Sequence, residues 1–368
     1  MTATLLFLLI YNGITGQNGT IAFITGENQE QWRLCLADVE SGGITPIGQG
    51  MRDSTPQWSP DGSMLAYQSK GENGMSVRVI NMADQSDNAI PHRYASNEQP
   101  RWSPEGRRLA YTSEGDNPPL QAIVVYDLDK REETIWGGDR RGLLRPVWMP
   151  TTDMMKALDP EDKVAAEALG LVALKAEAEQ YGVIIAIGVG DPPPEMTTEI
   201  FIITPTLAIP LLPFLDSDSH RYVKWFVEPE HKGRQLAYES NDGGDRELFV
   251  LGRKGIINVS NNPAADWHPV WSPDNYWLAF ESFRDGRQGI YRVLVSTANV
   301  FPVVVDAAYD CWSPAWSPDG DHLVFVSNKT GTPQLYIVDK EGETIRQLTD
   351  GATPAFCPAW RPATRKQD

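Results

Sequence analysis

A tryptophan that returns at a nearly fixed interval constrains this chain more than any other feature. In its best copies the surrounding unit reads Pro-x-Trp-Ser-Pro-Asp-Gly-x-x-Leu-Ala-Tyr/Phe. The tryptophan falls at Trp58, Trp102, Trp148, Trp225, Trp271, Trp316 and Trp360, in steps of 44, 46, 77, 46, 45 and 44 residues. A period of about 45 residues means stacked supersecondary units, and four short strands per unit mean a β-propeller.

The unit explains itself physically. Gln57-Trp58-Ser59 is a short strand, Ser59-Pro60-Asp61-Gly62 a tight turn and Met64 to Gln68 the returning strand. Val77 to Asn81 gives a third strand and Ala89-Ile90 a weaker fourth. Six of the seven tryptophans have proline two residues earlier. Proline is tolerated on a strand edge, as in the strand lining a propeller channel. The tryptophans are expected to pack between neighbouring blades, where burial is worth about 2–3 kcal/mol each.

The 77-residue step still contains a blade. Ile184 to Ile187, Glu199 to Ile203 and Leu207 to Leu212 supply its outer three strands. Residues 150–182 replace the turn between its first two strands. Within them Asp159-Pro160-Glu161-Asp162 opens a helix over Val164 to Tyr181, and Gly182 ends it. Val164, Ala168, Leu171, Val172 and Leu174 give that helix an apolar face, to pack on the ring rim or to dock a partner.

The chain starts its pattern at a second strand, Thr20 to Phe23, and ends at a first strand, Pro358 to Trp360. The two ends should share a blade, three strands from one and one from the other. The expected fold class is therefore all-β, a seven-bladed propeller over residues 20–368 behind an apolar lead, 1–19. Ala3 to Tyr11 is too short for a membrane helix. It resembles the core of a secretory signal but lacks a basic start and a clear cleavage site, so an extra strand or an anchor stays open.

The net charge of −17 excludes a nucleic-acid partner, which needs lysine and arginine patches. The cysteines, Cys35, Cys311 and Cys357, have no metal-type spacing. A disulfide between Cys311 and Cys357 is open, with isolated thiols the default.

The copies Trp58 to Ile80, Trp271 to Leu294 and Trp316 to Asp339 resemble the TolB-like (WD-like repeat) β-propeller family. In the latter two, Ser282 to Gly286 with Ile290-Tyr291, and Ser327 to Gly331 with Leu335-Tyr336-Ile337, complete the pattern. The resemblance implies an extracytoplasmic protein that binds proteins or peptides. Some relatives gate substrates in prolyl peptidases, and one related group is formed of seven-bladed pectic oligosaccharide lyases. The family's periplasmic Tol protein has six blades and a separate α/β domain. This chain departs from it in both respects, so the Tol-system role is not transferred.

Catalytic signatures are sparse. There is no Gly-x-Ser-x-Gly elbow, phosphate loop or His-Glu-x-x-His. Asp61, Asp274 and Asp319 belong to turns, and Asn241 to Asp245 reads as a turn rather than a calcium loop. The loops entering the inner strands share one face and surround the channel mouth. With their strand starts they carry Arg52, His92, Arg93, Tyr94, Arg140, Arg141, Arg145, His220, Arg221, Tyr222, Trp267, His268, Tyr309 and Trp312. Arginine and aromatic residues are the usual anchors of recognition surfaces.

The leading expectation is a propeller without catalysis, cofactor or metal that binds a protein or peptide there. One alternative is a lyase-like carbohydrate enzyme using His92, His220 or His268 with arginine. Another is a component of a surface assembly.

Overall fold

The computed structural model describes residues 19–363, apart from 73, 117–118, 150–170, 190–197, 212–229, 233–234, 241–243 and 253–254. Seven four-stranded antiparallel sheets form a ring. The first blade joins the inner strand Ala355–Trp360 to Thr20–Thr25, Arg33–Asp38 and Ile44–Pro46. Ile21 pairs with Trp360 and Ala22 with Ala359, so the two ends of the chain close the ring in the expected three-plus-one arrangement.

The second strands are the most buried elements. Leu65, Ala66 and Tyr67 in blade two, and Leu278, Ala279 and Phe280 in blade six, are fully enclosed. Their side chains meet those of adjacent blades, as when Phe23 and Trp360 share a cluster with Val324, Leu335 and Ile337. The core is thus a set of wedges between blades rather than one central mass.

The six repeated tryptophans among the described residues are buried between blades. The indole Nε1 of Trp102 donates to the carbonyl of Gln57 at 2.9 Å, that of Trp148 to Arg101 at 3.2 Å and that of Trp316 to Val270 at 3.0 Å. Each acceptor immediately precedes the tryptophan of the preceding blade, so the bonds step from blade to blade around the ring. In blades two, six and seven the turn after the tryptophan is held as its sequence demands. Asp61 accepts from Ser59 Oγ at 2.7 Å and Ser63 N at 3.0 Å, while Met64 N donates to Ser59 Oγ at 2.9 Å. Ser272–Asp274 and Ser317–Asp319 repeat this.

Blade five departs from the expected register. Its first two strands are Glu230–Lys232 and Gln235–Ser240, and His231 pairs with Leu236. In the regular copies the partner of that leucine is tryptophan, as in Trp58 with Leu65 and Trp271 with Leu278. His231 therefore stands where the tryptophan of the copy around Trp225 was expected, with two residues fewer between it and its paired leucine. Trp225 itself lies outside the described residues.

Blade four forms as expected from Leu143–Met149, Val183–Val189, Thr198–Ile203 and Ala208–Pro210. The helical signal is realised over Leu171–Tyr181, and the earlier part of the insertion, with its capping segment, lies outside the described residues. Gly182, at φ +94°, ends the helix, its N–H bonded to Ala178 O. Leu174 and Ala178, four residues apart, enter the core shared by blades four and five, whereas Val172 is exposed. Glu177 accepts from Thr206 N at 3.0 Å. The helix is therefore bound to the face opposite the channel mouth.

Candidate functional site

Each regular inner strand carries an extra residue near its start. In blade two Ser54 pairs with Gln68 and Gln57 with Ala66, so Thr55-Pro56 forms a bulge. The same register shift occurs at Gln99-Pro100, Arg145-Pro146, His268-Pro269, Ser313-Pro314 and Cys357-Pro358. Proline fits here because a bulge frees it from the ladder. The six residues before these prolines all take left-handed backbone, with φ of 46°, 57°, 54°, 51°, 51° and 50° in the order given. None is glycine, and such backbone costs about 1–3 kcal/mol at a non-glycine position. The six sit at equivalent places around the channel mouth.

Blades five and six place two glutamates under this ring. Glu239 and Glu281 are each 1 % exposed. They occupy the same position in their second strands, which Gln68, Thr112, Ile187, Val326 and Ile24 fill in other blades. Glu281 accepts four hydrogen bonds: from Trp267 Nε1 at 2.8 Å, His268 Nδ1 at 2.8 Å, Gln288 Nε2 at 2.5 Å and Ser313 N at 2.9 Å. Glu239 accepts from His268 N at 2.7 Å and lies 3.6 Å from Arg246 Nη1. Trp267 also meets Phe283, with ring centroids 5.2 Å apart, and Phe283 is exposed. The result is a polar, aromatic-flanked rim with fixed side-chain directions.

The other mouth residues do varied work. His92 is wedged between blades two and three, its side chain 8 % exposed. Its Nε2 accepts from Val77 N at 3.0 Å, which puts the neutral ring's proton on Nδ1. Arg93 donates its backbone N–H to Glu133 at 3.2 Å and, with His92, Arg131 and Glu133, lines an outer cleft of about 450 Å³. Tyr94 packs on the core between those blades. The Arg140 guanidinium lies 4.8 Å over Phe201, and Arg141 bonds the carbonyls of Gly138 and Arg140. Arg145 is one of the bulge residues. Tyr309 lies under Lys329, and burial with Asp306 nearby pushes its phenol up to about 12. Trp312 packs against the seam between blades seven and one. Arg52 lies 3.7 Å from Glu30. His220, Arg221 and Tyr222 fall outside the described residues.

The structure therefore brings Trp267 and His268 together on buried carboxylates and draws His92 away into a blade interface. Sequence reasoning missed Glu239, Glu281, Thr55, Gln99, Ser313 and Cys357. The available signals were the residue before each repeated proline and the glutamate that follows Leu-Ala-Tyr or Leu-Ala-Phe. Among the described residues no group of three or more His, Cys, Asp and Glu is arranged to hold a metal ion. Also among them, no helix is long and apolar enough to cross a membrane.

No family model matches the chain, and no curated protein does. Solved structures do. TolB from Acinetobacter baumannii is 16 % identical over 97 % of this chain and 70 % of its own, with a TM-score of 0.57. The fold is that of the TolB-like propellers. The propeller domain of the Trilobed protease from Pyrococcus furiosus, described as having an open velcro topology, matches at 12 % identity and TM-score 0.64, over 91 % of this chain and 96 % of that domain. An acylaminoacyl peptidase from Pyrococcus horikoshii matches at 13 % and 0.61, with 91 % of this chain covering 51 % of the enzyme. At these identities the likeness is one of fold.

Proposed function

We propose that this propeller binds a protein or peptide segment at its channel-mouth face without catalysing a reaction on it. The observation that carries the reading is the ring of six non-glycine residues held in left-handed backbone at equivalent bulges. Such backbone persists where the surrounding structure over-determines it, and it clusters at ligand clamps. The pinned Trp267 and His268 beside exposed Phe283 add the aromatic and polar anchors that recognition surfaces favour. An extracytoplasmic setting is part of the proposal, supported by the family resemblance alone.

The carbohydrate-enzyme alternative asks histidines from separate blades to converge on the axis. The hydrogen bond from Val77 occupies the nitrogen His92 would need as a base, and among the described residues this leaves His268 as the one candidate histidine at the mouth. The test is selection from a random peptide library on the immobilised protein. Enriched peptides should compete for one site and weaken about tenfold or more with Trp267→Ala. Enrichment of nothing, or peptides indifferent to Trp267→Ala, would overturn the reading.

A further inference from the structure

The seam between blades two and three is open where the next seam is closed. Between blades three and four, Gly137 N donates to Thr204 O at 2.8 Å and Gly138 N to Pro205 O at 3.3 Å, so backbone ties the end of one outer strand to the following blade. Strand pairing puts Pro91 and His92 in the places of Gly137 and Gly138: Ile90 N bonds Val77 O as Trp136 pairs with Ile123. Proline has no N–H to give, and the His92 ring turns inward to accept from Val77 N at 3.0 Å. The seam cannot close in the same way. An outer cleft of about 450 Å³ lies there, between Arg93 on the blade-two side and Tyr126, Arg131 and Glu133 on the blade-three side.

The cleft carries charge of both signs. Arg93 and Arg131 are exposed along it, and neither guanidinium has a hydrogen bond or ion pair among the described residues. The Glu133 carboxylate is held by Tyr111 Oη at 2.8 Å and Arg93 N at 3.2 Å. A carboxylate offers about four lone-pair sites, so Glu133 keeps acceptor capacity toward the cleft, and exposed Glu132 adds a second acid. Pro91 and the Tyr126 ring give the lining an apolar part. An anion alone would meet the two glutamates, and a cation alone the two arginines. A molecule with both charges answers both pairs, since guanidinium forks match a carboxylate and a pinned carboxylate matches an ammonium. We propose that this cleft binds a small zwitterion, a free amino acid or dipeptide, with its carboxylate on Arg93 and Arg131, its ammonium on Glu133 and its side chain against Pro91 and Tyr126. The site is separate from the channel mouth and does not depend on how the mouth is read.

The experiment titrates the whole ¹⁵N-labelled protein with four probes: L-phenylalanine, glycyl-L-phenylalanine, N-acetyl-L-phenylalanine and L-phenylalanine amide. The backbone amide signals of Arg93 and Arg131 are followed. Phenylalanine or the dipeptide should shift them saturably, and the tighter of the two sets the size of the ligand. The acetyl form lacks the ammonium and the amide lacks the carboxylate, so each should bind about tenfold or more weakly than its parent. Arg131→Gln should weaken the zwitterion about tenfold. That change suits the turn, because Gln85 fills the same place in blade two at the same φ of 57°. Trp267→Ala should leave the binding unchanged. Saturation by none of the probes, an acetyl or amide form that binds as well as phenylalanine, or indifference to Arg131→Gln would overturn the proposal. A loss with Trp267→Ala would put the ligand at the mouth and overturn it too, whereas failure of the peptide selection at the mouth would leave it standing.

Discussion

Trp58 Nε1 donates to the carbonyl of Ala359 at 3.0 Å, across 301 residues of chain. The bond is the same blade-to-blade step seen elsewhere in the ring, but here it crosses from the second blade to the strand that seals the first. Arg361 reinforces the place, its Nε bonded to Gly62 O at 2.8 Å and its guanidinium 5.1 Å over the Trp58 ring.

Trp58→Phe removes that donor, leaves a buried carbonyl short of a partner and shrinks the wedge. The expected loss is about 1–3 kcal/mol, read as a lower denaturant midpoint. Trp102→Phe should cost a similar amount, since Gln57 O plays the part of Ala359 O there. A much larger loss at Trp58 alone would show that the seam, rather than the repeat, limits stability.

Glu281→Ala strands four donors that now share one carboxylate. Two of them, on Gln288 and Ser313, come from segments beyond its own strand pair. The expected cost is about 2–4 kcal/mol in thermal or denaturant unfolding. Glu247→Ala is a useful comparison, because burial, the largest influence on that carboxyl, raises its pKa despite bonds from Ser260 and Asn262. Its charge is therefore less favoured in the folded state, and its removal should cost less.

The thiols should separate cleanly. Burial pushes Cys35 up to about 11 and Cys311 up to about 12, whereas Cys357 is exposed at its bulge. None of the three is in a disulfide. Iodoacetamide at mildly alkaline pH should modify Cys357 alone in the folded protein and all three after unfolding, counted by mass spectrometry. Rapid native labelling of Cys35 or Cys311 would contradict the packing around them.

Glu133 gives the fold a sensitivity to acid. Burial pushes its carboxyl up, but its interactions with His92 and Tyr111 outweigh that, and its pKa lies below the ordinary glutamate value. A lowered pKa in the folded state gives stability that is full above the unfolded value, about 4.3, and is lost as pH falls through the folded one. Glu133→Gln should cost about 1–2 kcal/mol near neutrality. The gap between variant and parent should narrow as pH drops below about 4, measured by unfolding across pH.

The ring, its turns and its closure were legible because each repeated residue has one narrow job: proline at the bulge, Asp-Gly in the turn, tryptophan in the wedge. Blade five misled for the same reason. Trp225 is a louder signal than His231, although Leu236-Ala237-Tyr238 places the register five residues after His231. The site was less legible. Glu239 and Glu281 sit inside apolar strands, where a reading by hydropathy sees core, and their burial depends on partners from neighbouring blades. The repeated proline marked the six positions before it, but their left-handed backbone runs against local preference and shows only in the structure. His92 and His268 look alike in sequence; only the third dimension shows that one hydrogen bonds a strand and the other faces the mouth.

The bulges carry one more consequence. At Thr55, Gln99, Arg145, His268, Ser313 and Cys357 the backbone takes the same left-handed bulge although the side chains range from hydroxyl and thiol to imidazole and guanidinium. The scaffold has thus uncoupled shape from lettering at these places. A protein built this way can exchange the characters of its inscription singly, over generations, while the wall on which they are cut stays put.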